Sequence, residues 1–131
     1  MDLYKFFKNR KYEMDYYLDK RKINGQNLVQ VTQKVFNDYC DNVKLEEYDT
    51  YDLVQRKLTR NVLLAYQSTY NPDLFLYVNL SIFLNHEHSR IIRVANRKGK
   101  FDYIVDLKYK AFLNQKLGIN ALENEIKGKV S

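Results

Sequence analysis

Near Asn71 and Pro72 the spacing of apolar residues switches from helical to alternating, which restricts the chain to folds that place helices ahead of a sheet. Upstream, Leu3, Phe7, Met14 and Leu18 form one stripe of an amphipathic helix over residues 2–20, flanked by Phe6 and Tyr17. Ile23, Asn24 and Gly25 break it. Between Gln26 and Glu47, Leu28, Val31, Val35, Tyr39 and Val43 recur at helical spacing, widened by Phe36 and Cys40, and predict a second helix. Asp49 or Thr50 caps a third, carrying Leu53, Val54 and Leu58. The run Val62 to Tyr66 either continues that helix or forms a short buried strand, and the strand is the expectation.

Downstream, Leu74, Leu76, Val78, Leu80, Ile82 and Leu84 alternate with Phe75, Tyr77, Asn79, Ser81 and Phe83, the period of a strand. Residues 90–95 and 101–109 flank Asn96, Arg97, Lys98, Gly99 and Lys100, which predicts a hairpin with a basic tip. On its second arm Asp102, Ile104, Asp106, Lys108 and Lys110 share one side. Residues 111–117 and 121–126 predict a C-terminal helix interrupted near Gly118. The expected class is α+β: N-terminal helices over 1–58, a mostly antiparallel or mixed sheet of three to four strands over 60–109, and a C-terminal helix over 110–127. A length of 131 residues suits one domain, and with four Gly and one Pro most of it belongs in regular elements.

A formal charge of +6 and a pI near 9.3 favour a polyanionic partner, since each Lys or Arg brought to a phosphate releases condensed counterions. The lone cysteine, Cys40, excludes an intramolecular disulfide, and no secretory signal precedes the first helix, so a reducing, cytoplasmic setting is expected. Leu74 to Leu84 is about half the apolar length that crosses a bilayer, and Asn79 and Ser81 interrupt it. No glycine-rich phosphate loop is present, which sets aside a nucleotide-driven motor or a dinucleotide enzyme.

Three features suit phosphodiester hydrolysis. Pro72-Asp73 opens one strand, Asp106-Leu107-Lys108 lies late on another, and Glu46 and Glu47 end a helix upstream. Such hydrolysis uses a hard divalent cation held by carboxylates, with an ammonium group to serve the attacking water. Asp106 and Lys108, two apart on a strand, would project from the same face.

These motifs resemble those of the PD-(D/E)XK nuclease superfamily over about residues 45–117. Tyr70 to Leu76 is similar to its first carboxylate motif, and Tyr103-Ile104-Val105-Asp106-Leu107-Lys108-Tyr109-Lys110 to its second. The resemblance implies a restriction-endonuclease-like core in which Asp73 and Asp106 ligate magnesium or manganese, Lys108 serves the water, and the family's helical Glu falls on Glu46 or Glu47. It also implies DNA as substrate rather than RNA, and a homodimer that cuts two strands.

Other constellations compete. His86-Glu87-His88 offers two metal ligands on one side of an extended segment, yet Cys40 is the one soft ligand left, so a polar loop fits better than structural zinc. Cys40 lies among Phe36, Tyr39 and Val43, as a small hydrophobe does. Arg90, Arg93, Arg97, Lys98 and Lys100, with Lys110 behind them, would let the hairpin hold a nucleic-acid backbone or enter a groove as a wing does; equally, they would protect an edge strand from aggregation. The abundant Tyr residues fit packing better than base stacking. The rival to a nuclease is a non-catalytic nucleic-acid-binding or inhibitory protein of viral or mobile-element type on the same basic surface; a third reading is a protein-interaction domain.

Overall fold

The computed structural model describes residues 28–43, 49–98 and 102–130. The helix expected over 2–20, Glu46 and Glu47, and the hairpin-tip residues Gly99 and Lys100 lie outside them. The described elements run α1 (Gln33–Asn42), α2 (Tyr51–Leu64), β1 (Tyr66–Gln67), β2 (Leu74–Tyr77), β3 (Leu80–Leu84), β4 (Ile91–Asn96), α3 (Leu107–Lys116) and α4 (Ile119–Val130). The strands form one antiparallel sheet in the order β1-β2-β3-β4, so the class is α+β as expected.

Both leading helices start at a threonine whose hydroxyl accepts from an otherwise unpaired first-turn amide: Thr32 from Val35 and Thr50 from Leu53, each at 3.3 Å. The first begins later than its apolar spacing predicts. Residues 28–31 are extended instead, with Val29 and Val31 buried on either side of exposed Gln30. Gln30 donates to Ser89 O and accepts from Ile91 N, so this segment pairs in parallel with the chain entering β4. An available sheet edge thus outcompetes four residues' worth of helix propensity.

α2 is the central helix. Leu53, Val54, Leu58 and Val62 to Leu64 are buried, and so are Lys57, Thr59, Arg60 and Asn61. Each buried polar group has a partner: Lys57 pairs with Asp49 at 2.7 Å and Glu123 at 3.3 Å, and Arg60 donates to Asn61 and Asn114. The Thr59 hydroxyl accepts from Val29 N and donates to Gln55 O. Val62 to Leu64 continue this helix, correcting the expected strand; only Tyr66 and Gln67 are paired, as β1. Apolar composition alone could not separate a buried helical turn from a buried strand.

The alternating run from Leu74 to Leu84 is two strands, not one. Val78 and Asn79 form a two-residue turn, with φ of 49° at Val78, between the pair Tyr77 and Leu80. Directly opposed residues share a face, so the turn reverses the parity of the alternation. Phe75, Tyr77, Leu80, Ile82 and Leu84 face the helices, while Leu74, Leu76, Ser81 and Phe83 face the other way. Leu74 and Leu76 are therefore on the side opposite Leu80, Ile82 and Leu84.

The predicted second arm at 101–109 is also corrected. Residues 102–106 pair with no strand, and the helix α3 starts at Leu107. Asp106 caps it: one carboxylate oxygen accepts from Lys108 N at 3.0 Å and Tyr109 N at 3.3 Å. The expected interruption near Gly118 is present. Gly118 has φ of +68°, and a Cβ there would lie 2.7 Å from Arg56 Nη1, which donates to Leu117 O. Leu113, Leu117 and Ile119 close the core beneath α2. No described helix is long and apolar enough to cross a membrane.

Candidate nucleic-acid interface

Of the residues expected to form a metal centre, Asp73 and Asp106 lie within the described part, and each carries hydrogen bonds of its own. Asp73 precedes β2, and its carbonyl accepts from Leu84 N, which holds it against the end of β3. One carboxylate oxygen lies 3.0 Å from His86 Nδ1 and the other 2.8 Å from His88 Nε2. The loop supplying both imidazoles is held by Asn85, whose side-chain oxygen accepts from Ser89 N and Arg90 N. His88 itself has φ of 57°, and its ring meets Phe75 edge-on at 5.2 Å. Hydrogen bonds from the two imidazoles hold the Asp73 carboxyl below the ordinary carboxylate range, and Asp73 in turn raises His86.

Asp106 sits elsewhere. The segment leading to it is tied to the turn end of the β2–β3 hairpin, where Tyr103 N donates to Val78 O at 2.9 Å. Asp73 lies at the opposite, open end of that hairpin. Lys108 is the second residue of α3, so its expected strand-face partnership with Asp106 is replaced by a cap. Glu47 and Glu46 lie outside the described residues. Asp73 is met by two imidazole nitrogens, and one oxygen of Asp106 accepts from backbone amides of α3. Among the described residues no group of three His, Cys, Asp or Glu is arranged to hold a metal ion.

The basic residues also divide. Arg97 turns inward, its guanidinium donating to Val78 O, Leu80 O and the Ser81 hydroxyl while lying 5.2 Å from the Tyr103 ring centroid. Burial pulls its pKa down, yet a guanidinium stays charged throughout the working range. It is a strut of the sheet. Lys110 lies 5.9 Å from the Tyr77 ring centroid at the same end. Arg90, Arg93 and Lys98 are exposed, and Lys100 lies outside the described residues.

Arg93 is the one that meets an aromatic ring on the sheet surface, 5.7 Å from the centroid of Phe83, its cross-strand partner. Two rows of side chains cross this outer face. Tyr66, Leu76, Ser81 and Ala95 form the first, and Leu74, Phe83 and Arg93 the second. Tyr103 stacks on Tyr66 at 5.3 Å and Arg97 reaches Ser81, so the first row is roofed. Beside it, Leu74 and Phe83 are half-exposed and Arg93 is exposed. Sequence reasoning named Arg93 but missed Phe83, whose position followed from the alternation only once the turn at Val78 was placed.

The chain belongs to the YorE family, whose model matches residues 29–116, from the segment beside β4 through the end of α3. No curated protein and no solved structure matches it.

Proposed function

We propose that this protein binds nucleic acid without cleaving it, using the exposed side of β4 and the chain that follows. What supports this is the disposition of charge on the sheet: Arg90, Arg93 and Lys98 are exposed, whereas Asp73 and Asp106 hold imidazoles and a helix end. A formal charge of +6 favours the same partner.

The reading is tested by anisotropy titration of labelled oligonucleotides at low salt. Binding weakens as salt rises, and the charge-removing double substitution Arg93→Ala with Lys98→Ala lowers the slope of log affinity against log salt by roughly 1.4–1.8, about 0.7–0.9 per lost phosphate contact. No retention of any oligonucleotide at low salt ends the proposal. Magnesium-dependent nicking of plasmid that disappears with Asp73→Ala, Asp106→Ala or Lys108→Ala would replace it with the nuclease.

A further inference from the structure

We infer that the preferred ligand is single-stranded nucleic acid, with a base stacked on Phe83 and its backbone beside Arg93; this rests on the nucleic-acid reading above. A wing that enters a duplex groove needs two paired arms and a projecting charged tip. Here the second arm is absent, because 102–106 leaves the sheet and Asp106 starts a helix. Arg97, at the base of the supposed tip, is consumed by three acceptors within the protein. The surface left is one end of a sheet face rather than a projecting tip.

Such a face suits unpaired bases. Each base has a π surface that stacks on an aromatic ring, while a cation at the ring's margin meets the phosphate. The row Leu74, Phe83 and Arg93 has that composition: an apolar neighbour on one side, a half-exposed ring in the middle and an exposed guanidinium on the other. Arg93 already lies near the Phe83 ring at 5.7 Å, in the region a base would occupy, and its long side chain is free to swing toward a phosphate. Ile92, 48% exposed on the same edge strand beside the irregularity at Phe83 and Leu84, adds apolar surface at that edge. The roof of Tyr103 over Tyr66 limits the open area to this end of the sheet, which sets a contact of one or two nucleotides.

Binding is compared between an oligothymidylate of about 15 nucleotides and a duplex of equal length. The single strand is expected to bind at least tenfold more tightly. Phe83→Leu keeps the apolar volume but removes the π face, and is expected to weaken single-strand binding by roughly 5- to 150-fold, with Phe83→Tyr restoring it. The chain has no tryptophan, so Phe83→Trp places one fluorophore at the contact, and its emission should be quenched by the oligothymidylate. Phe112→Leu, at an exposed ring on α3 away from the row, leaves affinity unchanged. Equal affinity for duplex, or a Phe83→Leu protein that binds like the parent, overturns this inference while leaving nucleic-acid binding intact. Failure of every nucleic acid to bind overturns the underlying reading instead.

Discussion

The two ends of the β2–β3 hairpin are each gathered by one charged side chain, and they differ in what that charge depends on. At the open end Asp73 draws in His86 and His88 from the loop before β4. At the turn end Arg97, from just after β4, draws together Val78 O, Leu80 O and Ser81 and supports Tyr103. The open end is attraction between a carboxylate and its two imidazole partners, and the His86 side chain is exposed enough for water to screen its share. The turn end is a permanently charged fork bonded to neutral acceptors, so it contributes more and responds little to pH.

The largest expected effect comes from cutting the second of these. Arg97→Met removes the donors that Leu80 O and the Ser81 hydroxyl share and one of the two that reach Val78 O, and should lower unfolding free energy by about 1–3 kcal/mol, read from urea denaturation. Arg97→Lys sharpens the comparison: charge is kept but the planar fork is lost, and if it restores full stability the geometric argument is wrong. Tyr103→Leu should cost about 1 kcal/mol, from the lost ring stacking on Tyr66 and the lost face for Arg97.

The open end should give the smallest effect and the only marked pH dependence. His86 has its pKa raised in the folded protein, so its contribution is complete below the ordinary imidazole value and is lost as pH rises through the raised one. Asp73 has its pKa depressed, so its contribution is present above the ordinary aspartate value and is lost as pH falls through the depressed one. Thermal unfolding of the parent and of Asp73→Asn should therefore differ most in mildly acidic solution and converge above neutral pH. A difference that stays constant into alkaline solution would show that Asp73 acts through its backbone neighbours rather than through the imidazoles.

Parts of this arrangement were legible in the residues. Thr50 ahead of Leu53, Val54 and Leu58 marked a capped helix, Asn71-Pro72 marked the passage to a sheet, and Gly118 marked the break between the last helices, because each depends on local backbone chemistry. The sites were less so. Asp106-Leu107-Lys108 is written identically whether it is a strand with two side chains on one face or a helix cap followed by its first turn. Asp73 is 13 and 15 residues from its two imidazole partners, and no spacing rule joins them until β2 and β3 are paired in register. The parity reversal at Val78 was hidden for a related reason: the turn lacks the Asn-Gly or Asp-Gly signature, and Val78 takes a positive φ that a β-branched residue rarely adopts.

The amino-acid sequence by itself determined the class, the broad order of helices, sheet and helix, and a surplus of positive charge, since these follow from periodicity, caps and composition over a few residues at a time. Tertiary structure alone decided which charges are spent inside and which remain outside. Arg93 and Arg97 lie four apart in one basic stretch, yet one reaches the open sheet face and the other is bound to carbonyls across the hairpin. That choice depends on where distant backbone acceptors come to lie, which only pairing the strands specifies.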